Sequence, residues 1–179
     1  MKTSGAGFSV LDREDILKKI EEIKHSMDGK LPNVYFFHGD FTDDEMNQLY
    51  NHPKVKVHIT LTHGEGFGRP LLEATISQKP VIAPNWSGHV DFLYMPKKKK
   101  YSKMRPMFAR VDYDLKPILK EAIWKGVLEA ESMWCYPKPG SYKMKLREVY
   151  KEYGRYKNNA LKLKDYVLKN FSSEKQHNW

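Results

Sequence analysis

Apolar positions recur along this chain with two different periods, and the period changes at turn residues. Behind Asp12, which can cap a helix, Ile16, Ile20, Ile23 and Met27 fall on one face of a helix predicted over 13–27. The stretch Gly29 to Pro32 breaks that period, and residues 34–38 read as a buried strand. Thr42-Asp43-Asp44-Glu45 has the form of a capping box, opening a short helix with Met46, Leu49 and Tyr50 inward. A turn at Asn51-His52-Pro53 leads to a strand predicted over 55–61. A helix over 70–78, closed by Lys79-Pro80, is followed by the apolar strand 81–84. A turn at Trp86 to Gly88 and a short helix through Leu93 come next, then a basic loop over 95–106 and a last strand over 108–111.

The remainder reads as helical. Asp114 is placed as the cap of a helix over 115–132, with Leu115, Ile118, Leu119, Ala122, Ile123 and Val127 as its apolar positions. Residues 134–140 read as a Pro-rich loop, and 141–170 as helix bent near Gly154. Tyr150, Tyr153, Tyr156, Tyr166 and Phe171 read as packing or interface residues. Alternating strands and helices imply an α/β fold, a parallel sheet with helices on both faces. The expected organisation is one domain over 1–179, with an α/β core over 13–111 and C-terminal helices over 112–179.

Candidate chemistry concentrates in residues 64–74, Gly-Glu-Gly-Phe-Gly-Arg-Pro-Leu-Leu-Glu-Ala. A strand, a glycine turn, a helix and a second strand in this order put a phosphate at a helix N-terminus. Gly64, Gly66 and Gly68 let the backbone turn tightly, and Pro70 suits the first helical position. Glu73, about one turn into the helix, can accept hydrogen bonds from a pair of sugar hydroxyls, and Glu65 on the loop can serve a second sugar ring. The plainer alternatives are a Glu73 that complements the helix dipole and a Glu65 that is solvated.

The stretch from Val34 to Leu93 resembles the nucleotide-sugar-binding half of a two-domain (GT-B) retaining glycosyltransferase, most like family 4. The resemblance rests on Glu65 and Glu73, a glutamate pair separated by seven residues. It extends over Tyr35-Phe36-Phe37-His38-Gly39, Asp43 to Tyr50, Lys79-Pro80-Val81-Ile82-Ala83 and Trp86-Ser87-Gly88-His89-Val90-Asp91-Phe92. It implies a Rossmann-like sheet, the C-terminal half of the GT-B fold. It also implies a nucleotide diphosphate sugar as donor and an acceptor that the sequence does not name. By this resemblance Glu73 matches the ligand of the ribose hydroxyls, and Glu65 matches the glutamate near the donor sugar and the reacting centre. The backbone of Gly66, Phe67 and Gly68 matches the loop that touches sugar and phosphates, and Gly39 and Asp40 follow the strand whose end borders the base. Arg69 departs from the aliphatic residue often found there; it either adds to phosphate binding or faces solvent. His63, next to Gly64, is a further binding candidate. No cofactor is expected.

A domain of this family begins with a strand, a helix and a second strand ahead of the helix placed at 13–27. In the usual order, 3-2-1-4-5-6, those strands lie between strands 34–38 and 55–61. The chain therefore reads as an N-terminally truncated fragment or split product. Its sheet is expected to pair directly across the gap, to recruit residues near Phe8 to Leu11, or to sit beside another chain. The acceptor domain and the basic pair that helps hold the diphosphate are also missing, with Lys2 as a candidate remnant. A chain so placed is expected to bind nucleotide poorly, to catalyse nothing alone and to be marginally stable.

Charge adds a second reading. Residues 1–90 carry 10 Lys and Arg against 12 Asp and Glu, whereas residues 91–179 carry 21 against 10. Lys97 to Lys100, with Lys103 and Arg105, would suit an anionic membrane surface or nucleic acid, or form a solvated loop. The alternative class is thus a non-catalytic interaction module. A single cysteine, Cys135, excludes a disulfide scaffold. The start lacks a signal peptide's apolar core, so a cytoplasmic protein is expected. Asp112-Tyr113-Asp114 has the form that holds a metal diphosphate in the other large glycosyltransferase fold, but Asp114 as a helix cap accounts for it, and no metal site is expected. The seven histidines lack zinc-ligand spacing.

Overall fold

The computed structural model of the chain describes residues 1–3, 10–29, 31–97 and 100–171. It is a mixed α/β structure with small parallel sheets, and no closed barrel occurs among the described residues. Two compact units divide it, Met1–Gln48 and Leu49–Trp179.

In the first unit, β1 (Lys2–Thr3) and β2 (Phe37–His38) pair in parallel, with α1 (Val10–His25) between them in sequence. The register is Lys2 to Phe37 and Thr3 to His38, so the strand expected at 34–38 is shorter and takes its partner from residues 2–3. Of the recruits expected near Phe8 to Leu11, Val10 and Leu11 belong to α1, and Phe8 lies outside the described residues. Asp12 sits in the first turn of α1 rather than capping it. The apolar face of α1 is only partly covered: Ile16 and Ile20 are half-buried and Ile23 is exposed. The capping box forms as expected, with the Glu45 amide donating to Thr42 Oγ1 at 3.2 Å and the Thr42 amide to Glu45 Oε2 at 2.8 Å. It opens α2 (Asp43–Asn51).

The second unit is built on three parallel strands, β3 (His58–Ile59), β4 (Val81–Pro84) and β7 (Ala109–Val111), with β4 central. All four residues of β4 are buried, as an unbroken apolar run between two parallel neighbours requires. Ile82, Ala109 and Val111 share a core with Val149 and Tyr156 from two C-terminal helices, α5 (Pro139–Lys151) and α6 (Tyr153–Asn170). The crossover helix α3 (Arg69–Ile76) buries Leu71, Ala74 and Thr75 and packs on α6. The short α4 (Val90–Leu93) follows β4 and buries Phe92 and Leu93.

Three expectations fail here. Residues 95–106 are not a loop but an antiparallel hairpin, β5 (Tyr94–Lys97) and β6 (Lys100–Pro106). High charge argues for solvation of side chains, yet paired strands satisfy their backbone while Lys97 and Lys103 stay exposed. Residues 115–132 are not a helix. β8 (Tyr113–Pro117) pairs with β9 (Met133–Pro137), so Asp114 is a strand residue and 134–137 are not loop. Gly126 takes φ +83° in a reverse turn, a conformation that a helix interior does not use. Mutual bonds of 2.9 and 2.7 Å between the backbones of Trp124 and Leu128 close that turn. The expected bend near Gly154 is a break between α5 and α6 at Glu152.

Across that break Glu148 gathers three donors. Lys145 Nζ lies 2.7 Å from Oε2, while Arg155 and the Tyr156 hydroxyl reach Oε1 at 2.7 and 2.6 Å. These bonds, the one from Lys145 foremost, pull the carboxyl down to about 2. A depressed carboxyl stabilises the fold above its ordinary value of 4.5 and ceases to as pH falls towards 2. Glu148→Gln should therefore cost about 1–2 kcal/mol at pH 7, after discounting for partial exposure. Urea midpoints should converge with those of the parent chain as pH drops below 4.5; a gap unchanged at pH 3 would refute the assignment.

Candidate functional site

Between β3 and α3 the chain runs through the glycine loop and turns into the helix at Gly68. Gly68 is the N-cap of α3 with φ +85°, and a Cβ there would lie 2.9 Å from the His89 Cβ, so both conformation and space call for glycine. The helix starts one residue earlier than expected, so Pro70 is its second residue, and no side chain caps it. The Tyr50 hydroxyl donates to the Pro70 carbonyl at 3.1 Å and pins that turn from below.

The loop is clamped by the turn after β4. Ser87 Oγ accepts from the Glu65 amide at 2.9 Å and donates to the Glu65 carbonyl at 2.6 Å, and the Gly88 amide reaches the same carbonyl at 3.0 Å. Ser87 holds φ +83°, a strained conformation for serine that these bonds offset. A Cβ on Gly88 would lie 1.9 Å from the Gly66 carbonyl oxygen. The close approach expected of Gly64 and Gly66 thus depends on Gly88: neither of those two has positive φ, and a Cβ at Gly66 would meet open space.

Beneath the N-cap, His89 is fully buried and its Nε2 donates to the Pro84 carbonyl at 2.8 Å. Its Nδ1 is buried and meets no partner among the described residues. The three residues Ser87, Gly88 and His89 had drawn no role of their own from the sequence. The Ser-Gly-His turn was the only signal, and the positive φ of Ser87 cannot be read from a serine.

Glu65 is half-buried, and Phe67 is exposed with its ring 5.3 Å from the buried Phe92. Glu73 does not stand alone: Arg69 Nε donates to its Oε1 at 2.6 Å. Burial, with the Glu73 carboxylate next in weight, pushes the Tyr50 hydroxyl up to about 12. Burial also pushes His58 in β3 down to about 4, so this imidazole is neutral at pH 7.

His63 is held by β9. Its Nδ1 is 2.7 Å from the Cys135 carbonyl, and its ring stacks on Trp134 at 4.7 Å and 2°. Tyr136 closes on the same ring at 4.7 Å. The carbonyl bond requires a proton on Nδ1. Because 115–140 reads as helix and loop, this aromatic wall was invisible in the sequence. Trp86 packs separately on Tyr113 at 5.7 Å and is partly exposed.

The other residues singled out in the sequence have the following surroundings. Gly39 and Asp40 belong to the first unit, where Gly39 has φ +107° and its carbonyl accepts Lys2 Nζ at 2.6 Å. Lys2 also lies 5.2 Å over the Phe41 ring. Asp114 pairs with Lys138 at 2.8 Å, which lowers its carboxyl below the usual range. No group of three or more metal-ligating side chains occurs among the described residues. Cys135 is buried, and burial raises its thiol to about 11, which leaves it unreactive at neutral pH. No helix among the described residues is long and apolar enough to cross a membrane.

Fold and site together define a mixed α/β chain with a clamped glycine loop leading into an uncapped crossover helix. No protein-family model matches this chain, and no curated protein or solved structure matches it significantly.

Proposed function

We propose that this chain is the donor-binding part of a glycosyltransferase of the hexosyltransferase type, built on the Rossmann-like C-terminal half of a GT-B fold. It would transfer a sugar from a nucleotide diphosphate sugar to an acceptor with retention of configuration. The observation that carries the reading is the clamp of Ser87 and Gly88 on Glu65, which holds the glycine loop over the end of β4 beside the start of α3. In this reading the diphosphate lies at the N-terminus of α3, where amide groups and the helix dipole favour an anion. Glu73 takes the ribose hydroxyls, and Glu65 borders the donor sugar. The buried Nδ1 of His89 beside Gly68 supports a polar ligand or its water at this place.

The reaction breaks the bond between the sugar's anomeric carbon and the diphosphate oxygen. It forms one from the acceptor oxygen to that carbon, and the acceptor's proton is released. The helix N-terminus and Arg69 would carry the charge that develops on the diphosphate. Calorimetric titration of the full chain with UDP, GDP and ADP should show weak, saturable binding that prefers one base and survives excess EDTA. Equal binding of all three and of heparin, collapsing with salt, would instead support an interaction module. That second reading draws on the hairpin β5–β6, whose sequence carries the lysine run. Its partner would be an anionic membrane surface or nucleic acid.

A further inference from the structure

The turn that joins β8 to β9 carries large apolar side chains that the fold leaves in water. Of residues 119–127 only Ala122 is half-buried, and the rest are exposed. Leu119 is 54 % exposed, Ile123 43 %, Trp124 67 % and Val127 62 %. We propose that this tip docks on an anionic membrane surface. Trp124, Ile123, Val127 and Leu119 enter the headgroup region, and Lys120 and Lys125 meet the lipid phosphates. Docking of this kind needs no ligand at the glycine loop.

Three properties of the tip fit lipid. The first is a backbone that closes on itself. The Ile118 amide donates to the Ser132 carbonyl at 3.1 Å, Ala122 to Leu119 at 2.9 Å and Ile123 to Lys120 at 3.3 Å. Trp124 and Leu128 bond each other, and the Gly126 amide donates to Glu129 Oε1 at 2.6 Å. A segment that enters a low-dielectric layer must satisfy its own backbone groups, and this one does so around Trp124. An indole there keeps its ring in the apolar layer and its N–H towards water. The second property is charge. From Leu115 to Leu128 the chain carries Lys116, Lys120 and Lys125 against Glu121 alone. Glu129 and Glu131 follow on the limb that returns to β9, where Glu129 is taken up by the Gly126 amide. Lysine stems can lie along an apolar layer while their ammonium groups stay with the phosphates, and each adds attraction to an anionic leaflet. The third property is size. Even a tryptophan presents no more than about 250 Å². None of the four side chains is wholly exposed, so together they stay below the roughly 800 Å² that each partner buries in a standard protein interface. A bilayer sets no such requirement.

The test is binding of the full chain to vesicles, read by co-sedimentation and by tryptophan emission. Vesicles of mixed phosphatidylcholine and phosphatidylglycerol should bind it at least about 10-fold more tightly than phosphatidylcholine alone. Trp124→Ser should weaken that binding by about 10-fold or more, and Trp124→Phe, which keeps an apolar ring, should largely restore it. Lipids brominated on the acyl chain should quench the parent's emission and lose most of that effect on Trp124→Phe. Replacing Lys97 and Lys103 together by serine separates the tip from the β5–β6 hairpin, and the dependence on Trp124 should persist in that background. No vesicle binding by the parent overturns the proposal. So does equal binding by Trp124→Ser, most plainly if raised salt then abolishes it, since charge alone would be the contact. Quenching that persists in Trp124→Phe would place another tryptophan in the lipid and overturn it too. A dimer of the parent that Trp124→Ser dissolves, with vesicle binding untouched, would give the tip to a second copy of the chain instead. Urea midpoints of the variants matching the parent exclude misfolding as the cause.

Discussion

Gly88→Ala is expected to cost about 3 kcal/mol or more of stability, and with it nucleotide binding, whereas Gly66→Ala should cost less than about 1 kcal/mol. The two glycines stand in similar company in the sequence. In the structure a Cβ on Gly88 would sit 1.9 Å from the Gly66 carbonyl oxygen, inside any tolerable contact, while one on Gly66 would meet nothing within 4 Å. The atom that the alanine would strike is backbone, so no rotamer change relieves the clash. The loop must lift, breaking the bonds from Ser87 and Gly88 that hold Glu65. Lifting also loosens the packing of His89 against Gly68. Urea denaturation of both variants beside the parent measures the stability, and nucleotide titration measures the site. A Gly88→Ala chain with the parent's midpoint would show that the clamp yields without cost.

If Glu73 takes the ribose hydroxyls as proposed, Glu73→Gln is expected to weaken binding of the nucleoside diphosphate by about 1.5–3 kcal/mol, roughly 10- to 150-fold, because a neutral amide would replace charge-assisted acceptors. Stability should change by no more than about 1 kcal/mol, since the carboxylate's partner Arg69 is largely exposed. The two readouts separate a ligand-binding role from a structural one. Calorimetric titration gives the first and urea melts the second. Unchanged affinity would leave Glu73 as a residue that only complements the dipole of α3 and pairs with Arg69.

Elements with local causes were legible. The capping box of Thr42 and Glu45 forms from side chains three residues apart, so its signal lies within one turn. Pro70 marks the start of α3 because proline fixes its own φ and lacks an amide there. In the candidate site, the placement of Glu65 on the loop and Glu73 on the helix could be read for the same reason. Its supporting parts could not. The aromatic wall of Trp134 and Tyr136 around His63 depends on a strand 72 residues away from it in sequence. Nor does the spacing of Arg69 and Glu73 say whether the pair faces a ligand or solvent.

The sequence by itself determined β4, an apolar run that only a doubly flanked parallel strand can use, and the helical character of 141–170. Tertiary structure alone decided the fate of 113–137. There Leu115, Ile118, Leu119, Ala122 and Ile123 match a helical face as well as any helix in the chain. The backbone is nevertheless paired, Tyr113 with Pro137 through to Pro117 with Met133, across a span that no local period encodes. The partner of β2 was decided in the same way, through the register of Lys2 with Phe37. In both cases the deciding interaction is a hydrogen-bonded ladder between distant segments. Such a ladder uses backbone groups common to all residues except proline, and so leaves little trace in the order of side chains.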